Sequence, residues 1–125
     1  MSTRTEHDSM GELQVPADAL YQAQTQRAVQ NFTIRPEPMA VGFIRALLLI
    51  KKAAAHANQQ LALLPAPVAG AIVTAAQSQL TLLQMKQFPV PLYQTGSGTS
   101  SNMNVNEVLA SLASQSLGDL VHPND

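Results

Sequence analysis

The sequence contains no cysteine and no tryptophan. Without thiols it can build neither a disulfide framework nor a thiolate metal site. Charge is scarce too: 12% of the 125 residues are charged, with seven Lys+Arg against eight Asp+Glu and a net charge of −1. That balance provides no field for holding a nucleic-acid backbone. The longest apolar stretches are broken by Arg45 or by Pro65 and Pro67, well short of the roughly 20 residues of a bilayer span. The first ten residues are polar and carry both signs of charge, unlike a signal peptide. The expectation is a soluble chain of cytoplasmic type that binds neither nucleic acid nor membrane. Acidic residues are also missing from Met39 to Asn106, where Arg45, Lys51, Lys52 and Lys86 stand alone. This suits an anionic ligand or an acidic partner surface, and solvated helix faces account for it equally well.

The composition points to helix. Alanine occurs 18 times, leucine 16 and glutamine 13, all compatible with helix interiors. One domain of this length can bury roughly two-thirds of its unfolded surface. Eight prolines punctuate the chain and divide it into a head, helical segments and a loop. Residues 4–15 read as a small hairpin or an extended arm. Asp18 can cap a helix running to about Asn31. Phe43, Leu47, Ile50, Ala54, Ala57, Leu61 and Leu64 recur in steps of three and four. They predict a second helix from the turn containing Pro38 to Pro65, roughly 40 Å long. A third runs from about Ala66 to Gln87, with Ala69, Val73, Ala76, Leu80 and Leu83 on one stripe. The short link between these two makes them a hairpin. A fourth helix begins near Ser100–Asn104 and runs to Leu117, burying Val105, Val108, Leu109 and Leu112, with Gly118 as its stop.

Chemistry concentrates between Thr95 and Asn102. Gly96 and Gly98 free the backbone to turn sharply and to approach a ligand. Five hydroxyl side chains lie within the same eight residues. Helix N-termini add N–H groups without intrahelical partners and a partial positive charge. Together these can cradle a carboxylate or phosphate; a serine-rich helix cap has the same composition. The loop is no Walker motif, because no Gly-Lys-Ser/Thr closes it, and Ser101 stands where a dinucleotide fingerprint needs its third glycine. His122-Pro123-Asn124-Asp125 reads as a turn and is a poor metal site, with one histidine and no second ligand cluster. Glu6, His7 and Asp8 read as an exposed ionic turn, and His56 as a helix-surface residue. Asn31-Phe32-Thr33 matches a glycosylation sequon by chance. Nothing in the sequence orients Ser97 against a histidine as a triad would require.

Four stretches resemble the class II fumarase family of the fumarase/aspartase superfamily. They are Arg4-Thr5-Glu6-His7-Asp8-Ser9-Met10-Gly11 with Val15-Pro16, and Ala23-Gln24-Thr25-Gln26-Arg27-Ala28 with Asn31-Phe32. The most specific is Gln94-Thr95-Gly96-Ser97-Gly98-Thr99-Ser100-Ser101-Asn102-Met103-Asn104 with Asn106-Glu107-Val108. His122-Pro123-Asn124-Asp125 is the shortest. Two features depart from the family: Gln22 replaces a common glycine, and the interval before His122 is short and lacks an arginine that some members carry.

The resemblance implies a mainly α fold, the N-terminal helical domain of the fumarase/aspartase fold with a short hairpin or extended head, filling residues 1–125. It implies reversible hydration of fumarate to (S)-malate without metal or organic cofactor, in a homotetramer whose sites combine several subunits. Ser97, Gly98 and Thr99 would contact the dicarboxylate substrate. His122, Pro123, Asn124 and Asp125 would form a secondary anion site. No catalytic residue falls in this stretch, since the family's bases lie past residue 125, as do its long central helices. A fragment without hydratase activity of its own is therefore expected. An aspartate ammonia-lyase is the nearest alternative, although Ser97 favours fumarase. A non-catalytic helical binding module is the other. The stripes of the two long helices are broad enough to drive association if left uncovered.

Overall fold

A computed structural model describes residues 2–31, 39–90 and 98–125. The head is an antiparallel hairpin, β1 (Thr3–Asp8) and β2 (Gly11–Pro16), with Thr3 opposite Pro16 and Asp8 opposite Gly11. Four helices follow: α1 (Ala23–Asn31), α2 (Val41–Gln60), α3 (Ala66–Thr81) and α4 (Thr99–Leu117), with a 3-10 turn at Met85–Gln87. The hairpin therefore forms as one of the two expected alternatives. The fourth helix and its stop also match expectation. Gly118 adopts φ 74° and donates its N–H to the Ser114 carbonyl at 2.9 Å.

The start of α1 departs from expectation. Asp18 does not cap it; the helix begins five residues later, at Ala23. Its cap is the buried carboxylate of Glu107, from α4. Glu107 accepts the N–H groups of Gln22 at 3.1 Å, Gln24 at 3.0 Å and Thr25 at 2.8 Å. A carboxylate among N-terminal amides both satisfies donors and suits the helix dipole. Gln22 donates from its side chain to the Ser111 hydroxyl at 3.0 Å, which ties the entry of α1 to α4.

Helix α2 is shorter than its periodicity predicts. It begins at Val41, after Pro38, and stops at Gln60 rather than at Pro65. Ala62 takes φ 58° and donates to the Gln59 carbonyl, while Leu63 donates to that of Asn58. This is a Schellman ending, with alanine where glycine is usual. The buried face is also displaced. Ile44, Leu48 and Ala55 are buried, whereas Phe43, Ile50 and Leu61 of the predicted stripe are exposed. Apolar residues nearly encircle α2 between Phe43 and Ile50, so more than one stripe fits a helical period. Packing against α3 and α4 selects the narrower one.

Helix α3 ends six residues before the expected Gln87. The buried Gln79 side chain accepts the Gln84 N–H at 3.2 Å and donates to the Gln84 side chain at 2.9 Å. This exchange draws the chain out of helix at Leu82, which is extended. The main core joins Val15 and Tyr21 from the head, Ile44 and Leu48 from α2, Ala76 and Leu80 from α3, Phe88, and Val105, Val108 and Leu109 from α4. Helix α4 thus contributes to the core, to the α1 cap and, at its first residues, to the candidate site.

Candidate functional site

Gly98 immediately precedes α4 in the left-handed conformation, at φ 71° and ψ 9°. Only glycine takes this geometry without the steric cost of a Cβ. Its carbonyl accepts the Asn102 N–H at 3.0 Å and so closes the first turn of α4. Thr99 is the first helical residue and its surface is exposed. The left-handed glycine turns the chain sharply into the positive end of a 19-residue helix, as an anion cradle requires. Ser97, the third residue assigned to this loop, lies outside the described residues. Ser101 and Asn104, from the same motif, are buried, and Asn104 donates to the Gln87 carbonyl at 2.8 Å. Those two anchor the first turns of α4.

His122–Asp125 is a compact turn. The Asp125 N–H donates to the His122 carbonyl at 2.8 Å, and the Asp125 carboxylate accepts the His122 N–H at 2.8 Å. His122 Nδ1 accepts the Asn124 N–H at 3.1 Å. The turn closes one end of a cleft of about 280 Å³ between α2 and α4. Lys51 and Asn58 of α2 and Asn106 of α4 line this cleft, as do His122, Asn124 and Asp125. Lys51 Nζ reaches Asn102 Oδ1 at 2.6 Å. Burial pulls the Lys51 ammonium below the ordinary lysine value, because desolvation disfavours its charge. Asn102 and Asn106 are four residues apart and share a face of α4. Thr99 and Asn106 lie about 10 Å apart along the axis.

Among the described residues, Gly98 and Thr99 do not line the cleft that holds His122–Asp125. Gly98 and Thr99 stand at the head of α4, and the His122–Asp125 turn lies against its flank. Lys51 touches the first turn of α4 and also lines the cleft. It was visible in the sequence only as one of four cations in an acid-free interval; its neighbours depend on how α2 packs.

The other polar clusters are structural. Asp8 is not an exposed acid: Arg27 grips its carboxylate with two bonds of 2.8 Å and donates to the Gly11 carbonyl at 2.9 Å. The hydrogen bonds from Arg27 hold the Asp8 carboxyl below its ordinary value. Arg4 pairs with Glu6 at 2.8 Å and donates to the carbonyls of Pro16, Ala17, Ala19 and Tyr21. His56 is exposed beside Gln60, as expected. The sequon residues Phe32 and Thr33 lie outside the described residues. Among the described residues, no three His, Asp or Glu side chains converge to hold a metal ion, and no helix is long and apolar enough to cross a membrane.

Residues 11–125 match the family model described as Lyase. The chain is 60% identical to "Fumarate hydratase class II 2" of Pseudomonas aeruginosa over 98% of its own length and 27% of that protein's. It is 56% identical to "Fumarate hydratase class II" of Xylella fastidiosa over 98% of this chain and 26% of that one. The crystal structure of class II fumarase from Schistosoma mansoni superposes with a TM-score of 0.94 at 37% identity, covering 98% of this chain and 27% of the other. The Brucella melitensis structure titled "fumarate lyase:delta crystallin", with bound cobalt, gives 0.90 at 46% identity, covering 99% and 29%. The chain thus spans about a quarter of the length of the curated relatives it matches. With a family match across nearly all its residues, this chain belongs to the lyase family that includes the class II fumarate hydratases, and it has the fold of their N-terminal domain.

Proposed function

We propose that the chain provides the N-terminal part of a fumarate hydratase, which interconverts fumarate and (S)-malate. The observation that carries this reading is Gly98, left-handed at the mouth of α4, within a motif shared with the fumarase family. In malate dehydration a base takes a proton from the carbon beside one carboxylate. The electron pair moves onto that carboxylate as an aci-type dianion, and the hydroxyl group on the neighbouring carbon then takes up a proton and leaves as water, while the pair returns to form the double bond. Such carbon acids are weak, so fixed donors must hold the developing charge. Ser97, Gly98 and Thr99 are the proposed donors to the substrate carboxylate, helped by the positive end of α4. His122, Pro123, Asn124 and Asp125 form the proposed secondary anion site. Neither set supplies the base.

A homotetramer is part of the same proposal, in the cytoplasm and the tricarboxylic acid cycle. Supporting the assembly, Val41, Phe43, Leu49, Ile50, Leu61 and Leu63 are exposed in and just beyond α2, more apolar surface than a solvated helix normally shows.

A chimera tests the reading. Residues 1–125 would replace the matched quarter of the Pseudomonas aeruginosa enzyme. The chimera should hydrate fumarate and add no ammonia to it, while the 125-residue chain alone forms no malate. A folded but inactive chimera, or one that adds ammonia, overturns the reading; so does malate formation by the chain alone.

A further inference from the structure

A helix start ordinarily attracts acidic side chains, because its free N–H groups carry a partial positive charge. The first turn of α4 holds no acidic residue, and Gly98 brings no side-chain cap. A cation stands there instead. Lys51 Nζ donates to Asn102 Oδ1 at 2.6 Å. Asn102 follows Thr99 by three residues, about 5 Å along the axis. Helical side chains lean toward the N-terminus, which brings this contact beside the turn that the Gly98 carbonyl closes.

This ammonium has no close counterion among the described residues. No acidic residue occurs between Met39 and Asn106. The next acid along α4, Glu107, is taken up by the amides at the start of α1. Asp125 lines the same cleft as Lys51, but its carboxylate accepts the His122 N–H and lies beyond ion-pair distance of the ammonium. A half-buried ammonium at the positive end of a helix is unfavourable twice, through desolvation and through the dipole. A local rule broken in this way marks a place where the fold serves function at the expense of stability.

We propose that Lys51 is a positioning residue of the hydration reaction: it holds Asn102 in the first turn of α4 and adds a full positive charge behind Gly98 and Thr99, where the substrate carboxylate binds. The proposal deepens the functional reading and rests on it. The reacting carboxylate carries one negative charge in malate and two in the aci-type dianion, so its attraction to a fixed cation grows along the reaction. Lys51 therefore favours bound over free substrate, and the dianion over bound substrate. It touches neither of them and acts across the first turn of α4.

The test combines malate kinetics of the Pseudomonas aeruginosa chimera with urea unfolding of the 125-residue chain. In the chimera, Lys51→Met should raise KM for malate about threefold and lower kcat about tenfold. Lys51→Arg keeps the charge and should stay within about threefold of the unmodified chimera in both constants. In the isolated chain, Lys51→Met should unfold at the same urea concentration as the unmodified chain or at a higher one, because it removes an unfavourable charge from the helix start. A merely structural lysine would behave otherwise, since activity would then fall only as far as the fold loosens. Three results overturn the proposal while the functional reading stands: unchanged kinetics in the Lys51→Met chimera, an Arg variant as impaired as the Met variant, or a lower urea midpoint for the Lys51→Met chain. A folded but inactive unmodified chimera overturns the functional reading, and this proposal with it. The urea arm needs no active enzyme, so a chimera that fails to fold still leaves the proposal open to refutation.

Discussion

Around α1 the fixed points are charged hydrogen bonds, whereas along α2 they are apolar side chains seated against neighbouring helices. Glu107, Arg4, Arg27 and Asp8 each bind particular partners. Ile44, Leu48 and Ala55 simply fill space. The difference matters for how each region finds its orientation. A carboxylate that accepts three amides fixes a helix start at one place. A helix that is apolar nearly all round can turn several faces inward, and only packing against its neighbours chooses one.

Four substitutions sharpen this contrast, taken from the largest expected effect downward. Glu107→Ala leaves the amides of Gln22, Gln24 and Thr25 without their acceptor in a buried place and should cost about 4 kcal/mol in urea unfolding. A loss below about 1 kcal/mol would mean that water or another group caps α1 equally well. Leu48→Ala should cost about 3 kcal/mol by leaving a cavity. Ile50→Ala, two residues on at 59% exposure, should cost under about 0.5 kcal/mol. Equal losses at both positions would restore the face that periodicity alone suggests. Ala62→Gly should stabilise by about 0.5 kcal/mol, because relief of the left-handed Cβ outweighs the added freedom of the unfolded chain.

The last prediction concerns pH and carries the smallest effect. Arg27 holds the Asp8 carboxyl below its ordinary value of 3.8. A depressed carboxylate contributes stability above the unfolded-state value, and that contribution is lost as pH falls through the folded-state value. The stability gap between the unmodified chain and Arg27→Gln should therefore be present at neutral pH and shrink below about pH 4. A gap that is independent of pH would assign the Arg27 contribution to its bond with the Gly11 carbonyl.

The sequence disclosed those parts of the molecule that depend on local chemistry. Gly98 and Gly118 bracket α4 as their residue types suggest, and Val105, Val108 and Leu109 face inward as their spacing predicts. The Asp8–Arg27 clamp was hidden because its partners are 19 positions apart. The Glu107 cap was hidden because it spans 82 or more positions; a sequence reader sees Asp18 nearby and assigns it the task. The end of α2 was misplaced for another reason: a Schellman turn normally advertises itself with glycine, and here Ala62 performs it. The cleft was legible only as its last four residues, since Lys51, Asn58 and Asn106 join it through the packing of α2 against α4.

Neighbouring residues on α4 look in different directions: Asn106 lines the cleft, while Glu107 is buried under α1. The glutamate works as a key in a slot and clocks the whole rod about its long axis. With the key seated, three hydrogen bonds fix which side of α4 faces α1. The remainder of the rod serves as a rigid reference against which the glycine bend is aimed.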